Sequence, residues 1–224
     1  MVAPEEAAQA EIDDRVKGGG ERQAATTLDR IRADHVARYE FATRHIPEGA
    51  RVLDIACGVG YGSWLLAERT ACASVVGMDI NPEAIAYART HYAHAKAEFS
   101  EGDCTATGLA AQSFDVVVSF ETIEHIPDAP AFLREARRVL KPGGRLIGST
   151  PNEERLPFSP EAFPFHVRHY LPSQLTTLFG ASGFAVERVV SNTHRKKPHI
   201  TEGWDGLYNI VICRLDLPVA VPVT

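Results

Sequence analysis

The run Arg51-Val-Leu-Asp-Ile-Ala-Cys-Gly-Val-Gly-Tyr-Gly62 constrains the fold of this chain more than any other stretch. Val52 to Ala56 lack the alternation of a half-exposed strand, which suits a central parallel strand covered on both faces. The run breaks into Gly58, Gly60 and Gly62, and a helical pattern follows from Ser63 to Arg69. Strand, tight loop and helix in that order let the backbone approach a ligand that side chains would exclude. The first N–H groups of the helix face the same crevice, and open α/β sheets bind ligands at the carboxyl ends of their strands. A ligand site is expected here.

Further strands and helices alternate beyond it. Ser74-Val-Val-Gly-Met-Asp79 reads as a second buried strand ending in an acid, and Asn81-Pro-Glu83 supplies cap, first-turn proline and acid for a helix to Tyr92. Ala97 to Ser100 is a short third strand, residues 104–113 a loop, and Phe114 to Phe120 the most strand-like run. Asp128-Ala-Pro130 opens a helix to Leu140, Lys141-Pro-Gly-Gly144 is read as a turn, and Arg145 to Thr150 as a fifth strand. This order predicts a doubly wound α/β sheet with right-handed crossovers. Ahead of it, Leu28, Ile31, His35, Val36, Tyr39 and Ala42 recur at helical spacing and Pro47 closes the pattern, which predicts one or two amphipathic helices. After it, Pro172 to Phe179 reads as a helix, with Ala185 to Ser191 and Leu207 to Arg214 as strands of a closing antiparallel hairpin. Residues 1–20 end in Gly18-Gly-Gly20 and are read as a flexible tail or lid ahead of one domain over 21–224.

Composition narrows the class. A chain of 224 residues with 45% apolar composition suits one domain with a sizeable core. A net charge of −6 gives no footprint for a nucleic-acid backbone, and the basic cluster Arg195-Lys-Lys197 is read as a solvated loop. Cys57, Cys72, Cys104 and Cys213 are scattered without a C-x-x-C pair, which predicts free thiols in a reducing compartment. No run is long enough to span a bilayer and the acidic start is no signal peptide, so a soluble cytoplasmic protein is expected.

Asp54-Ile-Ala-Cys-Gly-Val-Gly-Tyr-Gly62 resembles the first motif of class I S-adenosylmethionine-dependent methyltransferases; its G-x-G-x-G spacing differs from the dinucleotide fingerprint. Asp79 stands where an acid about 20 residues beyond the glycines accepts hydrogen bonds from ribose hydroxyls. Glu101-Gly-Asp103-Cys104 resembles the segment these enzymes place beside adenine, although Asp103 also suits a simple strand-ending turn. The resemblance covers residues 50–152. It implies a seven-stranded Rossmann-like sheet with a C-terminal antiparallel hairpin and S-adenosylmethionine as cofactor. The implied cofactor shell is Asp54, Ala56, Gly58, Gly60, Asp79, Ile80, Asp103, Cys104, Phe120 and Arg38.

The chemistry is expected where the fourth strand ends, at Glu121-Thr-Ile-Glu124-His125. As one helical turn, Glu121, Glu124 and His125 would point one way. E-x-x-E-H resembles the metal-binding turn of small-RNA terminal 2′-O-methyltransferases and of ubiquinone-pathway O-methyltransferases, and Phe165-His166-Val-Arg-His169 offers further imidazoles. The resemblance implies Glu121, Glu124, His125, His166 and His169 as ligands for Mg²⁺ or Mn²⁺, with Glu121, His125, His166 and His169 as the catalytic set. The structural alternative is that the segment shapes the pocket floor, with His125 a general base without metal. His35 to Ala42 and Phe165 to Tyr170 resemble segments of bacterial sugar and polysaccharide methyltransferases. They imply a small saccharide acceptor; from charge and hydropathy no nucleic-acid or membrane partner is expected, and a homodimer is an assembly to consider. An N-methyltransferase of an amino sugar, a catechol-type O-methyltransferase of a quinone pathway, a nicotinamide oxidoreductase and a non-catalytic cofactor-binding module stay open.

Overall fold

The computed structural model of the chain describes residues 22–196 and 198–215. The tail or lid expected over residues 1–20 lies outside them. A 3₁₀ turn at Leu28–Arg30 leads into α1 (Ala33–Thr43), then β1 (Arg51–Ile55), α2 (Tyr61–Arg69), β2 (Ser74–Asp79), α3 (Pro82–His91) and β3 (Ala97–Glu101). β4 (Phe114–Phe120), a 3₁₀ turn at Ile123–His125, α4 (Ala129–Val139), β5 (Leu140–Pro151), α5 (Pro172–Ala181), β6 (Phe184–Asn192), β7 (Ile200–Glu202) and β8 (Tyr208–Leu215) complete it.

The local signals act as their chemistry dictates. Asn81 accepts hydrogen bonds from Glu83 N at 2.8 Å and Ala84 N at 3.2 Å, with Pro82 in the first turn of α3. Asp128 caps α4 through Ala131 N at 3.0 Å, again ahead of a proline.

The strands form one sheet in the order β3-β2-β1-β4-β5-β8-β6-β7. β1 to β5 are mutually parallel, with Val52 of β1 between Val75 of β2 and Val116 of β4. Helices cover both faces. Val52, Val116 and Val118 pack under α1, α2 and α3 with Tyr39, Leu65 and Ile85. Leu53, Ile55 and Val117 pack on the other face with Phe132 and Leu133 of α4 and Phe179 of α5. Burial on both sides is why β1 reads as an unbroken apolar run.

Three expectations need correction. Among the described residues the sheet has eight strands, not seven, because the polar loop after β6 contributes the short edge strand β7, with Thr201 opposite Ser191. β8 also does more than close a hairpin: it lies between β5 and β6, antiparallel to both. Lys141 to Gly144 is not a free turn but part of β5. Leu140 already pairs with Phe114, a register shift absorbs the next residues, and Gly143 takes up a φ of 76°.

Candidate active site

β1 and β4 are neighbours at the point where the strand order reverses, so their carboxyl ends open into one crevice. Both strands end on a non-glycine residue in the left-handed region, Ala56 at φ 61° and Glu121 at φ 52°. Such a residue costs about 1 kcal/mol, and strain of this kind collects at functional sites. Between the two lies a cleft of about 1010 Å³.

The glycines divide their work. Gly58 lines the cleft at φ 57°, and a Cβ there would meet only the flexible Arg22 side chain at 3.6 Å. Gly60 and Gly62 do not line it; they serve packing. A Cβ on Gly60 would come within 2.6 Å of Ala88 Cβ and 2.7 Å of Phe99 Cε1, and one on Gly62 within 2.0 Å of Tyr39 Cζ.

Asp54 likewise stands behind the loop and not in the cleft wall. It is fully buried, accepting from Ser63 Oγ at 2.6 Å and from Tyr39 Oη at 3.0 and 3.3 Å, and so ties α1 and α2 to β1. Burial pushes its carboxyl up to about 7, the two hydroxyls oppose the shift, and the charge of Asp79 adds to it.

Asp79 is the organising acid of the loop. Its Oδ2 accepts from Gly58 N at 2.8 Å, and its Oδ1 from Asn81 N at 2.9 Å and Arg22 Nη2 at 3.0 Å. Ile80 follows it at the lip of the cleft with 70% exposure, an apolar platform in open reach of a ligand. Asp103 lines the same end and makes the turn allowed for it: Oδ1 accepts from Thr105 N and Oγ1, each at 2.7 Å, which holds its carboxyl below the usual range. Ala56, Cys104, Phe120 and Arg38 complete this wall.

At the end of β4 the expected single turn divides. Only Ile123–His125 is helical, and Glu121 stands before it in left-handed backbone with Oε1 accepting from Ser149 Oγ at 2.7 Å. The residues that converge are Glu124, His125 and His166, whose ligand atoms all lie within 4.8 Å of one another. Glu121 and His169 are not in that group. Glu124 is fully buried; Oε2 accepts from Thr150 Oγ1 at 3.0 Å and Oε1 has no hydrogen-bond partner among the described residues. Its carboxyl is pushed well above the usual range, by burial first and the Glu121 charge second.

Backbone carbonyls fix the imidazole protons, because a carbonyl only accepts. His125 Nδ1 lies 2.9 Å from Phe165 O, so Nδ1 carries the proton and Nε2 the lone pair of the neutral ring. His169 Nδ1 lies 2.5 Å from Leu156 O, which leaves its Nε2 to accept from His166 Nδ1 at 2.7 Å. His169, buried at 5% exposure, therefore orients His166 and does not face the cleft itself.

Several cleft features carried no sequence signal. Tyr39 and Ser63 read as helix residues although they hold Asp54. Arg195 of the basic cluster lies exposed in a loop, as expected, and also lines the cleft with its guanidinium 5.8 Å from the centre of the Tyr208 ring. Arg32 and Arg38 lie 6.0 and 4.8 Å from that same ring. Arg38 is fully buried and leaves Nε and Nη2 without hydrogen-bond partners among the described residues. The signal was available only as pairing across sequence distance: residues 32, 38, 195 and 208 meet because β8 returns to the middle of the sheet.

Residues 53–148 match the family model described as a methyltransferase domain. A probable S-adenosylmethionine-dependent methyltransferase of Mycolicibacterium smegmatis is 37% identical over 154 residues, covering 67% of this chain and 58% of that protein. The ubiquinone biosynthesis O-methyltransferase of Xanthomonas oryzae pv. oryzae is 37% identical over 146 residues, covering 62% and 57%. The chain thus spans less than three fifths of the length of these two curated relatives. Among solved structures, a Haloferax volcanii putative methyltransferase in complex with the Trm112 methyltransferase activator superposes with a TM-score of 0.73 at 22% identity, covering 97% of this chain and 100% of that one.

Proposed function

The chain carries a methyltransferase domain of the class I fold, matched over residues 53–148, and on that premise we propose that it transfers the methyl group of S-adenosylmethionine to a hydroxyl oxygen of a small acceptor, a sugar or oligosaccharide first. Asp79 would receive the ribose hydroxyls, Ile80 and the Asp103–Cys104 segment the adenine, and Gly58 and Arg38 the methionine end. Arg38 suits a carboxylate because a buried guanidinium stays charged and two of its nitrogens lack partners.

One observation supports oxygen as the acceptor atom. Glu124, His125 and His166 converge at the carboxyl end of β4, with one buried carboxylate oxygen unpartnered. A neutral amine is already nucleophilic and needs only positioning, whereas a hydroxyl needs its proton taken as the methyl group arrives. His125, held by Phe165 O with its Nε2 lone pair available, is the base we assign. The proton passes to His125, the new O–CH₃ bond forms as the S–CH₃ bond breaks, and S-adenosylhomocysteine leaves as a neutral thioether. One carboxylate and two imidazoles also fit a divalent ion such as Mn²⁺ or Mg²⁺, which would lower the hydroxyl's pKa when bound. A saccharide favours that arrangement because it offers adjacent hydroxyls.

The test is methyl transfer from labelled S-adenosylmethionine to a panel of neutral and charged saccharides, with the matching amino sugars beside them. Label in the ether position, lost in His125→Ala and in Glu124→Gln, supports the proposal. Label on nitrogen alone rejects it. Full activity in EDTA, with loss only in His125→Ala, removes the ion and keeps the base.

A further inference from the structure

We infer that the acceptor carries an anionic group, a phosphate or a carboxylate, seated on Arg195 and Arg32 beside Tyr208. The inference rests on the proposed methyl transfer and names a feature of its acceptor. Arg32, Arg38 and Arg195 gather their guanidinium carbons within 6.0 Å of the centre of one aromatic ring, and all three residues line the cleft. Asp34 is the carboxylate that pairs with this group: it takes Arg32 Nε at 3.0 Å and Nη2 at 2.6 Å, and Arg38 Nη1 at 3.4 Å. Arg195 makes no ion pair among the described residues.

The wall therefore holds two positive charges beyond its own carboxylate. Guanidinium does not deprotonate in proteins, so the excess persists at any working pH. His35, on the same face of α1, adds no counter-charge; burial, then the charges of Arg38, Arg32 and Arg195, keeps it neutral. Glu124 converges with the imidazoles, and burial, then the Glu121 charge, pushes its carboxyl up against the opposing charge of Arg38, while Glu121 accepts from Ser149 Oγ. The methionine end of the cofactor brings one carboxylate and one ammonium, which leaves the excess unchanged. A cluster of like charges that the chain itself leaves unbalanced favours an anion beside it, and a planar guanidinium fork matches the oxygens of phosphate or carboxylate. Tyr208 holds the forks in place: Arg32 Nη2 donates to its hydroxyl at 3.3 Å while Arg38 covers its face. A doubly charged phosphate balances the excess more fully than a carboxylate, and is the expected member of the pair.

The experiment is calorimetry on the full chain. S-adenosylhomocysteine is titrated first; if it does not bind, the methyltransferase reading fails on its own ground. Inorganic phosphate and acetate are then titrated into the protein saturated with S-adenosylhomocysteine, followed by glucose 6-phosphate, glucuronate and glucose. The expected result is uptake of phosphate and glucose 6-phosphate, tenfold weaker in Arg195→Gln and unchanged in Arg69→Gln, an exposed cation outside the cleft. Uptake of acetate and glucuronate in preference assigns a carboxylate. Uptake of no anion, or anion uptake equal in Arg195→Gln and the unmodified chain, overturns the inference while leaving the cofactor site standing. Arg195 is surface-exposed, so its replacement does not test folding.

Discussion

Replacing Asp54 by asparagine tests the core behind the glycine loop, because the two side chains have the same shape and only one titrates. In the folded chain the Asp54 carboxyl holds its proton up to about pH 7, chiefly because it is buried. Unfolded, it releases that proton near pH 4. Between those values the unfolded chain binds fewer protons than the folded one, so stability falls as pH rises through the window. A rise from 3.8 to about 7, at 1.36 kcal/mol per unit, amounts to roughly 4 kcal/mol. Asparagine keeps one acceptor oxygen for the Ser63 or Tyr39 hydroxyl and loses the other, which costs about 1 kcal/mol. The two stability curves therefore cross. Near pH 4 the Asp54→Asn variant is the less stable by about 1 kcal/mol; near pH 8 it is the more stable by roughly 3 kcal/mol. Urea unfolding at half-unit steps from pH 4 to 8 measures this. A difference between the two proteins that stays constant across that range refutes the reasoning.

Other expectations follow from the same geometry. Gly62→Ala drives a Cβ to 2.0 Å from the Tyr39 ring and should lower stability by about 3 kcal/mol or more, whereas Gly58→Ala meets only the Arg22 chain and should cost about 1 to 2 kcal/mol of backbone strain; equal urea midpoints for the pair would dismiss the division of labour. Asp79→Ala should weaken S-adenosylhomocysteine binding more than tenfold, since a charged acceptor contributes about 1.5 kcal/mol or more, and an unchanged dissociation constant by calorimetry rejects the ribose assignment. His169→Phe removes the acceptor that orients His166; it should lower kcat more than it raises the acceptor KM, and a change in KM alone would show that His169 only packs.

Local chemistry made much of this architecture legible. β2 and β4 are found at the bounds read from their apolar runs, and the caps at Asn81 and Asp128 start the helices they announce, because each depends on residues a few positions apart. Lys141 to Gly144 misled: lysine, proline and paired glycines are turn residues, but the edge of β4 was waiting for Leu140, and pairing outweighed propensity. β7 was invisible because three residues carry no periodicity. In the site, Gly58, Asp79 and Asp103 could be placed from spacing. Glu121 could not, since its left-handed backbone breaks the helical register that would have aligned it with Glu124 and His125. Asp54 resembled a ligand-facing acid, but its direction is set by Tyr39 and Ser63, which the strand pattern does not reveal.

The place of β8 bears on how the protein is made. This strand is synthesised after β5 and β6 yet lies between them, paired along Arg145 to Pro151 on one side and Phe184 to Asn192 on the other. While the ribosome is still adding residues before Tyr208, β5 and β6 each lack the partner strand that fills the edge between them, an edge of free N–H and C=O groups. Tyr208, around which the arginines gather, arrives with the same strand. The nascent chain can thus form its glycine loop and parallel half early, but the arginine wall comes into being only at the last insertion. Until then, its two open edges make it a substrate for chaperones or for neighbouring copies.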